Sequence, residues 1–168
     1  MHIVVCIKQV PDSTHIRVHP VTNTIMCQGV PAIINPYDLF AIEEALRLKD
    51  RLGCTVTVIT MGPPQAEPAL RKALALGCDD AVLVTDKIFS GADTLATSYT
   101  LSCAARKYGK FDLVLCGRQA IDGDTAQVGP QLAEKLNLPQ VNYVEEILSV
   151  SPGKIRLLEL IGAQGSIS

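Results

Sequence analysis

Residues 53–84, GCTVTVITMGPPQAEPALRKALALGCDDAVLV, carry the reading that decides the fold. The run 55–61 is apolar and β-branched, the composition of a strand. Residues 65–76 read as a helix, and Gly77 stands where a C-cap glycine belongs. Residues 81–85 are strand-like again. Strand, helix and strand in this order are the unit of a parallel sheet with crossover helices.

The same alternation extends outward in both directions. Strand-like runs occupy 3–8, 113–116 and 141–148, the last more alternating and bent. Residues 38–52 place Leu39, Ile42, Ala45, Leu46 and Leu48 at helical spacing, with Glu43, Arg47 and Asp50 on another face. A Glu43–Arg47 pair at i,i+4 supports that helix. Residues 92–108 read as a third helix closed by Gly109, and 125–136 as a fourth, which either kinks or begins at Pro130. Residues 16–30 break the rhythm and read as a hairpin turning at 21–23. The expected fold is α/β: a five-stranded, mainly parallel, Rossmann-like sheet with crossover helices and this hairpin excursion. Residues 1–150 form the domain, and 151–168 an atypical tail.

The 168 residues are 48% hydrophobic, enough for one core. A net charge of −2, without a basic cluster, argues against nucleic acid as a partner. Apolar runs are far shorter than the roughly 20 residues that cross a bilayer, so no membrane insertion is expected. The N-terminal run MHIVVCIKQV lacks the features of a secretory signal, and the chain reads as cytoplasmic. Six cysteines are scattered without a C-x-x-C pair, and the three histidines crowd the N-terminal region, so metal-ligand spacing is absent. Cysteines within apolar runs read as small buried hydrophobes.

In an open parallel sheet, ligands bind beyond the carboxyl ends of the strands, where loops meet helix N-termini. Three loops qualify. Asn35, Pro36, Tyr37 and Asp38 open the first helix; they fit a capping arrangement, with Asn35 as N-cap and Asp38 reaching back, and a ligand contact is compatible with it. After the fourth strand come Gly117, Arg118, Gln119, Ala120, Ile121, Asp122, Gly123, Asp124, Thr125, Ala126, Gln127 and Val128. This loop offers backbone amides for a pyrophosphate or is simply a solvated loop; it is neither a Walker loop nor G-x-G-x-x-G. Asp122 and Asp124 would repel a phosphate, so they are expected to cap the helix or meet hydroxyl groups. In the third loop, Asp93 and Thr94 are candidate caps, and Thr97 lies on the same side as Thr94. No nucleophile–base pair or paired catalytic carboxylate is evident, so no catalytic residue is assigned.

VVCIKQVPD, INPYDLFAIEEALRLKD, VTVITMGPP, LRKALALGCDDAVLVTD and above all LVLCGRQAIDGDTAQVGPQLAE resemble the beta subunit of electron transfer flavoproteins over residues 1 to about 150. The resemblance implies an adenine-nucleotide-binding domain that forms a heterodimer with a larger alpha subunit. It implies contacts from Cys6, Asn35 to Asp38, Met61 and the loop from Gly117 to Val128. GADTLAT followed by DGDTAQVGP resembles the bifurcating branch, whose pocket holds FAD, not AMP. Thr94 and Thr97 then match contacts to the flavin's phosphate and sugar-alcohol region. Such a subunit positions and tunes the flavin and takes hydride from NADH only in complex. Redox partners in the family are an acyl-CoA dehydrogenase, a ferredoxin or a flavodoxin. The family's beta subunits continue well past the point where this sequence departs from them, near residue 150. The competing readings are a stress-type ATP-binding module, disfavoured by the missing glycine-rich phosphate loop, and a scaffold whose loops only cap helices.

Overall fold

A computed structural model describes residues 1–12, 17–18, 25–26 and 31–159. Four strands, β1 (His2–Cys6), β6 (Thr55–Met61), β7 (Asp80–Val84) and β8 (Leu113–Cys116), form a parallel sheet in the order β7-β6-β1-β8. Between β1 and the first helix lie the short strands β2 (Gln9–Pro11), β3 (Arg17–Val18), β4 (Ile25–Met26) and β5 (Ala32–Ile34). β2 pairs antiparallel with β5, and β3 with β4. The expected hairpin is therefore present as strands; its turn at 21–23 lies outside the described residues.

The helices are α1 (Pro36–Leu52), α2 (Glu67–Leu76), α3 (Thr94–Tyr108) and α4 (Val128–Leu136). Alternation along the strands divides the core between two faces. Ile3, Val5, Val56 and Val58 pack against Ile42, Ala45 and Leu48 of α1 and Leu70 and Ala73 of α2. Val4, Cys6 and Ile59 pack against Leu101 and Ala105 of α3 and Leu132 of α4. Both faces are covered, which is why these strands read as continuous apolar runs. Pro130 neither kinks α4 nor starts it. It falls in the first turn, where its missing N–H removes no helical hydrogen bond, and the Gln131 N–H already reaches Gln127 O.

The fifth parallel strand expected at 141–148 is not part of this sheet. That segment forms β9 (Val144–Ser151), which pairs antiparallel with β10 (Lys154–Glu159) in a separate two-stranded ribbon. Two physical reasons account for the difference. Glu145 and Glu146 are exposed, and of β9 only Ile147 is buried, so the strand lacks the apolar pair of faces that a central parallel strand needs. The turn at Pro152–Gly153, with Gly153 at φ 71°, suits a type II reversal and returns the chain onto β9. Arg51 of α1 tethers the ribbon by donating to the carbonyls of Ile147 and Leu148.

The amino end of the sheet is closed by polar contacts. Nε2 of His2 meets Thr57 Oγ1 at 2.9 Å, Thr57 donates to the Tyr108 hydroxyl, and Tyr108 donates to Asp80 at 2.5 Å. Asp79 accepts the Val56 N–H and the Lys49 ammonium. None of the loop residues singled out from the sequence lies at this end.

Candidate functional site

The chain order sets where the site lies. From β1 the sheet grows to β6 and β7 on one side, then α3 carries the chain back across to place β8 on the other side of β1. At such a reversal, the loops leaving the carboxyl ends of β1 and β8 run to opposite faces and leave a crevice between them. All the fingerprint loops start at this end of the sheet.

Asn35 and Asp38 do not cap α1 with their side chains. Asn35 occupies the N-cap position, but no side-chain cap bond forms there, and its own N–H donates to Lys8 O. Its amide turns instead to the loop after β8, donating to Gln119 O at 2.8 Å and accepting from Ile121 N–H at 3.1 Å. The residue is only 1% exposed, so each of those bonds fixes the loop in a dry setting. Asp38 accepts the Lys8 N–H at 2.7 Å and the Gly117 N–H. Gly117 is required here: a Cβ on it would stand 2.1 Å from Asp38 Oδ1 and 2.8 Å from Asp38 N.

The root of the loop, 117–121, is thus clamped to the start of α1, while its tip is held more weakly. Lys8 Nζ pairs with Asp122 at 2.7 Å, but both side chains are well exposed, and such pairs contribute at most about 1 kcal/mol. Asp124 accepts from the Gln119 amide. The expectation that Asp122 and Asp124 cap the helix or meet hydroxyl groups is therefore replaced by these two partners, an ammonium that offsets the charge of Asp122 and a neutral amide that donates to Asp124. Asp124 and Ala126 sit at φ 49° and 53°, in the left-handed region that non-glycine residues enter at a cost.

At the far end of the loop, Gln127 Oε1 accepts the Thr94 hydroxyl at 2.9 Å, and Gln131 Nε2 donates to the same hydroxyl. Asp93 caps α3 by accepting the Ala96 N–H. The 117–128 segment therefore bridges the start of α1 to the start of α3, bringing the three sequence fingerprints into one assembly. Cys6 and Met61 lie below it in the core of the α3 face. Thr97 sits in the first turn of α3, where its N–H donates to Asp93 O. Arg118 lies 5.6 Å from the ring centres of both Tyr37 and Tyr143.

Sequence reasoning missed Lys8, Gln131 and Tyr143. Lys8 was within reach, as a cation two residues past Cys6 at a strand's carboxyl end. Gln131 follows Gln127 by one helical turn. Nothing local marks Tyr143, because the ribbon brings it in from a distance. Two open concavities lie elsewhere: about 260 Å³ between α1 and β9, and about 270 Å³ between α3 and α4. The first is lined mainly by charged side chains, including Arg47 and Glu44, which pair with each other. The second has an apolar wall and borders the hydrogen-bonded assembly at Gln131, which lines it. Among the described residues no group of three or more His, Cys, Asp or Glu could hold a metal ion, and no helix is long and apolar enough to cross a membrane.

Burial raises the Asp38 carboxyl from 3.8 to about 6, against the Asn35 amide, the Lys8 and Gly117 N–H groups and the Lys8 charge, all of which lower it. Raised in the folded state, this group contributes stability that is fully present below about pH 3.8 and is lost as pH rises through about 6. The full span is worth about 3 kcal/mol. Urea unfolding of wild type and Asp38→Asn between pH 4 and pH 7 checks it. Wild type should lose about 2–3 kcal/mol relative to the variant across that window. Parallel profiles would contradict the assignment.

The electron transfer flavoprotein domain model matches residues 22–163. The chain belongs to that family. It is 61% identical over 170 residues to Protein FixA of Azotobacter vinelandii, covering 99% of this chain and 60% of that protein. It is 65% identical over 154 residues to Protein FixA of Azorhizobium caulinodans, covering 89% and 55%. It is 61% identical over 147 residues to the electron transfer flavoprotein subunit beta of Clostridium acetobutylicum, covering 88% and 56%. The chain thus spans a little over half the length of these relatives. The matched region takes in the whole assembly from Asn35 to Gln131, while Cys6 and Lys8 precede the start of the family model.

Proposed function

We propose that the chain is the adenine-nucleotide-binding part of an electron transfer flavoprotein beta subunit, holding the nucleotide in the crevice between the carboxyl ends of β1 and β8. The observation that carries this reading is the loop after β8, clamped at its root by Asn35 and Asp38 and ending at the start of α4. There Ala126, in the left-handed region, precedes Gln127, which is in the right-handed helical region. That alternation turns successive N–H groups toward one point, an arrangement that receives anions. The first-turn N–H groups of α4 have no intrahelical acceptor and add to it. Lys8 and Arg118 supply cationic groups nearby, and Lys8 exchanges Asp122 for a phosphate at little cost because the exposed pair is weak.

FAD is the proposed nucleotide, with AMP as the alternative. FAD's longer chain of pyrophosphate and ribityl oxygens needs more polar anchors, and the Thr94–Gln127–Gln131 cluster beside the loop provides them. When bound, the flavin supplies hydride acceptance and one-electron transfer. The chain's own residues bind and orient it, exclude water beneath it with Cys6 and Met61, and offset phosphate charge. An alpha subunit is the proposed heterodimer partner, with an acyl-CoA dehydrogenase, a ferredoxin or a flavodoxin as redox partners. The name of the Clostridium relative makes that protein a subunit.

Calorimetric titration of the purified chain with FAD and with AMP, and of Thr94→Val/Thr97→Val, tests both levels of this reading. Each lost hydroxyl bond is worth about 0.5–1.5 kcal/mol. FAD affinity should fall about tenfold or more in the double variant, while AMP affinity changes by less than about threefold. Equal weakening of both would contradict the FAD assignment. Binding of neither by the wild type, alone or with an alpha subunit, would contradict the nucleotide reading.

A further inference from the structure

Cys6 and Cys116 end the adjacent parallel strands β1 and β8 and are register partners. Partners in register point to the same face, here the α3 face, where both pack in one cluster. Neighbouring strands lie about 4.8 Å apart, within the Cα separation of about 4.4–6.8 Å that a disulfide spans. Cys116 is the group that acts most strongly on the Cys6 thiol. Gly129 carries the start of α4 past Cys116 without a side chain; a Cβ there would stand 3.6 Å from the Cys116 Cβ.

We propose that Cys6 and Cys116 form a dithiol site that hydrogen peroxide converts to a disulfide joining β1 to β8. The order of attack follows from exposure. Cys116 is partly exposed and Cys6 is 8% exposed, so the oxidant reaches Cys116 first. The Cys6 thiol is pushed well above its ordinary range, by the neighbouring Cys116 thiol first and by burial second, and so stays protonated until the second step. In the first step the Cys116 thiolate attacks one peroxide oxygen, the O–O bond breaks, and the departing hydroxide takes a proton to become water. Cys116 is then a sulfenic acid. In the second step the Cys6 sulfur attacks the Cys116 sulfur, the S–S bond forms and the S–O bond breaks. The departing hydroxide leaves as water with the Cys6 proton. The dithiol loses two electrons, and the peroxide gains them as two waters form.

This site does not depend on the nucleotide reading, because its geometry is set by the sheet alone. The test treats the folded chain with hydrogen peroxide, blocks remaining thiols with iodoacetamide, digests without reduction and maps the peptides by mass spectrometry. The expected result is a cross-linked pair of peptides bearing Cys6 and Cys116, both positions losing alkylation together and regaining it after dithiothreitol. Cys6→Ser should stop at the first step and give a dimedone adduct on Cys116. Full alkylation of Cys6 and Cys116 while the exposed Cys103 is oxidised would overturn the proposal. So would a disulfide joining either residue to a different cysteine, or a Cys6→Ser protein without the adduct.

Discussion

Gly117→Ala is expected to destabilise the chain by about 3 kcal/mol, the upper range for forcing atoms into a packed site, and to abolish nucleotide retention. The added Cβ would meet Asp38 Oδ1 at 2.1 Å and, at 2.8 Å, both Asp38 N and the Tyr37 carbonyl carbon. A flexible side-chain tip can swing away from such a contact, but the backbone at the start of α1 cannot. The loop must lift, and lifting it breaks the Asn35 bonds to Gln119 and Ile121. Gly123→Ala is the matched control: nothing lies within 4 Å of its Cβ position, so stability should change by no more than about 0.5 kcal/mol. Urea unfolding of the two variants separates the cases. Equal effects would mean that the loop does not rest on α1 as described.

Asn35→Ala carries the second large effect. The side chain is buried and makes two hydrogen bonds across the crevice, and truncation leaves the Gln119 carbonyl and the Ile121 N–H without partners. Each unsatisfied group costs about 1–3 kcal/mol, so a total near 3 kcal/mol is expected. Lys8→Ala removes only an exposed ion pair and should cost less than about 1 kcal/mol, although it weakens nucleotide binding. The contrast distinguishes the clamped root of the loop from its loose tip. Because Asn35→Ala and Gly117→Ala release the same segment, their double variant should lose less than the sum of the single losses. Strict additivity would show that the two residues act on different parts of the fold.

The parallel sheet was legible because its strands are covered on both faces and are therefore uniformly apolar, as in 55–61. Gly77 and Gly109 closed their helices as read, both at positive φ. The segment 141–148 misled because strand character does not specify which sheet a strand joins. That choice was made by exposed Glu145 and Glu146 and by a turn at Gly153 lying beyond it in sequence. Within the candidate site, Asp93 was read correctly as a cap, since its bond to Ala96 N–H spans three residues and depends only on local geometry. Asn35 and Asp38 were read as caps for the same local reason, but their partners lie far away in sequence, in Gln119, Ile121 and Gly117, or across the crevice in Lys8. A single sequence shows which residues are suited to capping. It does not show that a buried alternative partner arrives from another strand.

The central claim is that a nucleotide occupies the carboxyl-end crevice, and hydrogen exchange with and without FAD or AMP tests it most directly. The amides of 35–39 and 117–131 are expected to gain protection on binding, with the largest gain at the loop tip 122–127, where the free chain is held only by exposed contacts. The amino end, including 2 and 108–112, should be unchanged. Protection confined to the amino end or to the β9–β10 ribbon, with the loop tip exchanging as in the free chain, would contradict the account.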